Sequence, residues 1–474
     1  MTNSTHRPSA TGSRPKASPR HELPSADTPG HAARRLAVFA YAAVTDRHQV
    51  FDEAFSETAA REPFNTLEPR DRSFARLIAA TSIRRQGELD AVIRRFIEKP
   101  LPPDTGKLWA ILVTAAAQLL CLGTPAHAAI SQAVDLTRGD KFAHRFDRLT
   151  NALLRRVATE GPGILAGLDG VRLNTPDWLW TRWTLAYGED ETRKLAAANL
   201  TEAALDIAVK SVSGTSAENS VETWAATLAG VVLPTGAIRV REAGRVEALP
   251  GYNDGAWWVQ DAAAQLPVKL LGTIAGRSVA DLCAAPGGKT AQLAAGGATV
   301  TAIDQSGRRL KRLRENLMRL HLDATVIEAD VRAFASGTPA PQFDAVLLDA
   351  PCTATGTIRR HPDILRARTE DDVVRLSAIQ RELLTAAAEL VGPGGTLVYC
   401  TCSLEPEEGE HVVAAFLAAD PRFEIRAIRA GELGVQAVSI SPLGHLRTLP
   451  HHVLNDDGTL AGLDGFFAAR LVRR

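Results

Sequence analysis

Hydrophobic and polar positions change period along the chain, and each change marks a different element. The first thirty residues, MTNSTHRPSATGSRPKASPRHELPSADTPG, hold almost no large apolar side chain apart from Leu23. Such a segment cannot bury enough surface to offset its ordering entropy, so a disordered tail is expected over 1–30. From His31 to about Glu160 apolar residues recur at helical spacing, first in AARRLAVFAYAAV and then at Leu77, Ile78, Ile83, Leu89, Val92, Ile93 and Phe96. KLWAILVTAAAQLLCL is apolar on every side, as the central helix of a bundle would be; Gly123 can close it and Pro125 can open the next. An all-α domain over 31–165 is predicted. Signals then mix: PDWLWTRWTLAYG and EDETRKLAAANL read as helices, LDIAVKSV as a strand and VETWAATLAGV as a helix, a small α/β linking unit over 166–250. From 251 to 474 short apolar runs (SVADLCAA, ATVTAID, ATVIEAD, FDAVLLDAP, GTLVYCTCS) mostly alternate with helical stretches, which predicts a doubly wound, Rossmann-like parallel sheet.

Composition narrows the function classes. The chain has 474 residues, 45% hydrophobic, with 54 basic and 54 acidic side chains, so it is no bulk polycation and must meet any polyanion through local patches. Five cysteines, an odd number at low density, argue against a disulfide framework and for a reducing compartment, with the cytoplasm expected. The apolar stretch from Leu108 to Leu122 is too short to cross a bilayer, so no membrane partner is expected. Arg7, Arg14, Lys16 and Arg20 make the tail basic; a transit peptide and an RNA-affine arm are both compatible with it, a secretory signal is not.

Ligands of doubly wound sheets bind beyond the carboxyl ends of the strands, where Cys283, Asp304, Asp330, Asp349, Cys352 and Cys402 fall. In DLCAAPGGKT, Gly287 and Gly288 allow close backbone approach to a ligand at a helix N-terminus. A P-loop would want glycine where Cys283 stands, so phosphate cradling, and an ATP-driven enzyme with it, is the poorer reading. Asp304, twenty-one residues beyond Cys283, can accept both hydroxyls of a ribose, and Asp330 could flank an adenine. S-adenosylmethionine fits such a site. Four cysteines share the rim, but no C-x-x-C pair occurs, which disfavours a thiolate metal site; Cys121 and Cys400 read as core residues. Two thiols and an aspartate beside such a cofactor suit one reaction: a thiolate adds to carbon 6 of cytosine and makes carbon 5 nucleophilic, while a carboxylate at N3 and the exocyclic amine stabilises the charge.

DLCAAPGGKT, LLDAPCTATGTIRRHPD, YCTCSLEPEEGE and LAGLDGFFAARL together resemble the RNA 5-methylcytosine methyltransferases of the Sun family. The helical first domain, PDWLW, LPGYNDGAWWVQDAAAQ and RRHPD are similar to its bacterial branch, which acts on 16S ribosomal RNA and carries a NusB-like RNA-binding domain; the similarity spans about 31–474. The resemblance implies Cys402, in Thr401-Cys402-Ser403, as nucleophile; Cys352, after Pro351, as the thiol that assists product release; and Asp349 as the carboxylate contacting cytosine and cofactor. It also implies that Cys283, Ala284, Ala285, Pro286, Gly287, Gly288 and Lys289 form the cofactor loop, with Asp304 at the ribose and Asp330 near adenine. Cytosine-specific DNA enzymes attack with the Pro-Cys thiol alone, so the presence of Cys402 points to RNA. The chain departs from the family at Gly409, where Asn usually follows the acidic pair, and in LDIAVKSV, whose only cation is Lys210.

Basic patches add to this picture. The helix after Asp304 carries Arg308, Arg309, Lys311, Arg312, Arg314 and Arg319 against Glu315, and the loop after Cys352 adds Arg359 and Arg360, expected to meet RNA phosphates. The sequence therefore reads as a monomeric methyltransferase acting on RNA. The alternative is a NusB-like RNA-binding assembly factor whose methyltransferase-like scaffold does not turn over.

Overall fold

A computed structural model describes residues 30–210, 220–240, 244–337, 340–429, 431–455, 460 and 462–474; the basic tail over 1–29 lies outside them. The amino-terminal region is helical throughout: α1 (His31–Arg47), α2 (Phe51–Ala59), α3 (Pro69–Arg84), α4 (Gln86–Arg94), α5 (Leu108–Leu120), α6 (Ala126–Gly139) and α7 (Asp147–Ala166). Helix α5 is buried from Leu108 through Gln118 apart from Trp109, as its uniformly apolar sequence requires, and Pro125 stands immediately before α6. The polar Gln118 is tolerated there because the buried Arg34 Nε donates to its Oε1 at 2.7 Å. Cys121 lies at the margin of this core, its sulfur 3.4 Å from Arg85 Nη1.

The middle region is divided between two neighbours. After α8 (Gly170–Asn174), helices α9 (Asp177–Tyr187) and α10 (Glu189–Asn199) lean on the carboxy-terminal domain: Leu179, Trp183 and Leu195 share a core with Ile358, Leu365 and Leu404. The strands β1 (Leu205–Val209), β2 (Val231–Val232), β3 (Ile238–Val240) and β4 (Trp257–Val259) form an antiparallel sheet in the order β2-β3-β1-β4, with α11 (Val221–Thr227) against it. Its last strand thus comes from beyond residue 250, because the WW pair supplies the apolar edge that β1 needs.

After α12 (Leu266–Lys269), the doubly wound domain runs β5 (Ser278–Leu282), α13 (Gly288–Ala295), β6 (Thr299–Asp304), α14 (Gly307–Leu320), β7 (Thr325–Glu328), α15 (Val331–Ala335), β8 (Phe343–Asp349), α16 (Ile364–Ala367), α17 (Glu370–Glu389), β9 (Val391–Thr401) and α18 (Glu410–Ala419). Three further strands follow: β10 (Phe423–Ile425), β11 (Leu446–Thr448) and β12 (Phe466–Arg473). Strands β5 to β9 are parallel, but β12 enters antiparallel between β9 and β10, so the sheet is mixed rather than purely parallel. Strand order reverses between β5 and β8, the switch point where such sheets open a crevice. Helix α14 buries Leu310, Leu313, Leu317 and Leu320 at helical spacing and leaves Arg308, Lys311, Arg312 and Arg314 outward, whereas Arg319, expected at RNA phosphates, turns back to donate to the carbonyls of Tyr252 and Trp257.

The helical domain docks on the segment after the Pro-Cys loop. Asp363 Oδ2 accepts the backbone N–H of Phe51 at 3.0 Å, and Arg84 Nη2 donates to the carbonyl of Arg359 at 2.8 Å.

Candidate active site

The carboxyl ends of all five parallel strands open onto one cavity of about 370 Å³, whose walls include Cys283, Asp304, Asp330, Asp349, Cys352 and Cys402. Each is carried there by the strand before it: Cys283 follows β5, Asp304 ends β6, Asp349 ends β8 and Cys402 follows β9. Asp330 lies two residues past β7 rather than in it, where it caps α15 by accepting from Arg332 N–H and takes two further hydrogen bonds from the Arg332 guanidinium; these hold its carboxyl down to about 2.

The cofactor loop divides its work. Cys283 adopts φ 58° and lines the cavity, while Ala284 and Ala285 turn into the apolar cluster of α14. Pro286 is exposed, its carbonyl accepting from Asn316. Gly287 has φ 102°, and a Cβ there would lie 2.9 Å from Leu313 Cγ, so this turn against α14 requires glycine. Gly288 then opens α13. Asp304 is held by the N–H groups of Ala285 and Ser306, at 3.2 and 2.9 Å, with Arg309 Nη1 at 3.4 Å.

Lys289 turns to the reaction side of the site. Its ammonium donates to Asp349 Oδ2 at 2.8 Å. Burial works against the charge, but the Asp349 carboxylate and the neighbouring thiol groups outweigh it and hold the ammonium above its ordinary range. The Cys400 thiol, fully buried behind Asp349, approaches Oδ1 at 3.6 Å, and burial pushes it well up. The two sulfurs expected to react, Cys352 and Cys402, lie 3.6 Å apart. Contact with Cys402, then burial, raises the Cys352 thiol well above its usual range, so it keeps its proton at neutral pH.

Beneath them Glu408 is completely buried and accepts hydrogen bonds from Thr353, Ser403 and Gln380. The acidic pair before Gly409 belongs to the family pattern, but the burial of Glu408 comes from the convergence of two loops and helix α17. Gln305, Val331, Ile379 and Leu383 also line the cavity, at positions that carry only ordinary helical or turn signals, and Arg309, expected at RNA phosphates, lines it as well.

Arg359 and Arg360 require a correction. Neither guanidinium faces outward: Arg359 is 5% exposed and pairs with Asp464, and Arg360 pairs with Asp261 Oδ2 at 2.6 Å and Asp464 Oδ2 at 2.9 Å. Asp206 and Arg239 form a second buried pair alongside, with Asp206 Oδ2 accepting from Ala262 N beside Asp261. The arginines tie the Pro-Cys loop to Asp261, just after β4, and to Asp464 in the LDGFF segment that runs into β12, instead of meeting phosphate. Outward basic side chains are found on α14, where Lys311, Arg312 and Arg314 are exposed.

The residues present fit an adenosine-based methyl donor: the volume suits a small ligand, an acidic residue ends the second parallel strand, and Val331, Ile379 and Leu383 supply apolar walls. Fold and site together define a Rossmann-like methyltransferase domain joined to an all-helical domain. The family model for 16S rRNA methyltransferase RsmB/F matches residues 269–472, and that for the NusB family matches 31–159. The ribosomal RNA small subunit methyltransferase B of Pseudomonas putida is 37% identical over 421 residues, covering 86% of this chain and 92% of its own. The protein of the same name from Vibrio cholerae is 36% identical over 80% of this chain and 89% of its own. Among solved structures, PH0851 superposes with a TM-score of 0.72 over 94% of this chain and 99% of its own at 24% identity. The chain belongs to the RsmB/F family of methyltransferases and uses S-adenosylmethionine to methylate RNA. Among the described residues no helix is long and apolar enough to cross a membrane.

Proposed function

We propose that this protein methylates carbon 5 of a cytosine in 16S ribosomal RNA, through a covalent adduct on Cys402, in a reducing cytoplasm that keeps its thiols free. The observation that carries this is the pair of sulfurs 3.6 Å apart on the wall that also holds Asp304 and Asp349. The Cys402 sulfur attacks carbon 6 as a thiolate, which the Cys352 S–H and the nearby Lys289 charge stabilise. A C–S bond forms and the electron pair of the 5,6 double bond passes into the ring, with Asp349 placed to hold N3 and the amine. Bound S-adenosylmethionine supplies an electrophilic methyl group for carbon 5. Loss of the carbon 5 proton to a base then restores the double bond and expels the Cys402 sulfur, to which Cys352 can hand its own proton. The target base must leave its stack to reach carbon 6.

The test is incubation of the purified chain with labelled S-adenosylmethionine and unmodified small-subunit RNA, followed by mapping of the labelled base. Cys402→Ala abolishes 5-methylcytosine formation, whereas Cys352→Ala accumulates a protein–RNA adduct on denaturing gels. An adduct that persisted without Cys402 and required Cys352 would reverse the two roles. Cofactor binding with no labelled cytosine would instead favour an assembly factor.

A further inference from the structure

Glu408 has no exposed surface, yet four donors converge on its carboxylate. Oε1 accepts from Thr353 N at 3.0 Å and Gln380 Nε2 at 3.0 Å; Oε2 accepts from Ser403 Oγ at 2.5 Å and in close contact from Thr353 Oγ1. An ionised carboxylate is an acceptor only, with about four lone-pair sites, so the cage matches the charged form. Burial pushes its pKa up, and the same donors hold that rise in check.

These partners flank the two reactive thiols. Thr353 follows Cys352, and Pro351 before it gives its carbonyl to the same Gln380 amide that binds Glu408, at 2.9 Å. Ser403 follows Cys402, and Thr401 before it approaches the Glu408 carbonyl at 3.4 Å; Tyr399 donates to that carbonyl at 2.6 Å. The loops bearing the two sulfurs come from different strands, β8 and β9, and one side chain clamps both.

We propose that Glu408 is a positioning residue for methyl transfer: through Thr353, Ser403 and Gln380 it fixes the Cys352 and Cys402 sulfurs at the separation that lets them act in turn on one base. The proposal rests on the two-thiol reading above. Glu408 touches no substrate and acts only through its neighbours. Replacing one carboxylate oxygen by an amide turns an acceptor into a donor facing donors, so the clamp opens without a change of size.

Dibromobimane, which fluoresces when both of its bromomethyl arms have alkylated thiols a few ångströms apart with loss of bromide, reports the geometry without RNA or turnover. Wild-type chain is expected to bridge Cys352 and Cys402, located by peptide mapping. Glu408→Gln bridges them at least about tenfold more slowly, while single-turnover methylation falls about 100-fold with the KM for S-adenosylmethionine nearly unchanged. Glu408→Asp recovers part of both. Ser403→Ala and Thr353→Val each remove one arm and keep the carboxylate, which covers the case in which Glu408→Gln does not fold. Ser403→Ala slows adduct formation, and Thr353→Val slows release. Wild-type bridging and methylation rates in Glu408→Gln, or in both arm variants, would overturn the proposal. Slowed bridging in a chain whose wild type makes no 5-methylcytosine would leave the clamp standing and remove the functional reading instead.

Discussion

Replacing Arg360 by methionine distinguishes a structural strut from an RNA contact. The guanidinium donates to Asp464 Oδ2 at 2.9 Å, Asp261 Oδ2 at 2.6 Å and the carbonyl of Ala204 at 3.0 Å. Both aspartates are buried, so Arg360→Met leaves two carboxylates with Arg359 paired to Asp464 and Arg239 near Asp261. Breaking a buried ion pair from one side costs about 3–5 kcal/mol, and the same loss is expected here. The sign of its pH dependence follows from the same groups. Burial already holds Asp464 up to about 6; Asp261 also suffers burial, yet Arg360 and Arg359 pull it below its ordinary value. Without Arg360 both carboxyls rise, so the folded variant retains protons that the unfolded chain has released at an ordinary aspartate pKa of about 3.9. The deficit is therefore smallest in acid and grows as pH rises through the raised values. Urea unfolding followed by tryptophan fluorescence, at pH 5 and pH 8, measures it. RNA binding across a salt series measures the other possibility: a strut leaves the slope of log K against log salt unchanged, while one lost phosphate contact lowers it by about one. Wild-type stability with a reduced slope would refute the strut and restore the phosphate contact.

Two further outcomes are expected. Asp281, completely buried in β5 with one oxygen bonded to Thr290, has its carboxyl raised by burial to about 7; the stability this lends is present below about pH 4 and lost as pH rises toward 7, so Asp281→Asn flattens the chain's stability profile over that window, and parallel profiles in urea titrations would count against it. Gly287→Ala forces a Cβ to φ 102° and against Leu313, so the variant loses about 1–3 kcal/mol of stability and weakens S-adenosylmethionine binding by calorimetry; unchanged melting and affinity would show that the turn tolerates a side chain.

The docking of the helical domain bears on how this enzyme is built. Its contacts to Arg359 and Asp363 fall within the loop that leaves the Pro-Cys motif, so the domain buttresses the reaction centre. The basic face of α14 lies beside it, with Arg308 paired to Glu53 of α2.

What the sequence determined by itself was everything written in local period and in contiguous motif. Helical spacing marked α1 to α7, the uniformly apolar α5 announced its central place, and the alternation of short apolar runs with helices announced the doubly wound sheet. Strand ends followed from the same runs, which is why Asp304, Asp349, Cys352 and Cys402 could be assigned to one rim before their distances were known. Tertiary structure decided what depends on long-range pairing. The antiparallel entry of β12 beside β9 is invisible locally, since FFAARLVR is buried on both faces and carries no alternation to orient it. The fate of Arg359 and Arg360 was decided by Asp261 and Asp464, about a hundred residues away in either direction, which turn an apparently free basic pair inward. Glu408 acquired its place because loops from β8 and β9 and helix α17 converge on one carboxylate. A charge in a sequence says only that it must be solvated or paired; which of the two occurs is settled when the chain folds and brings its partners to it.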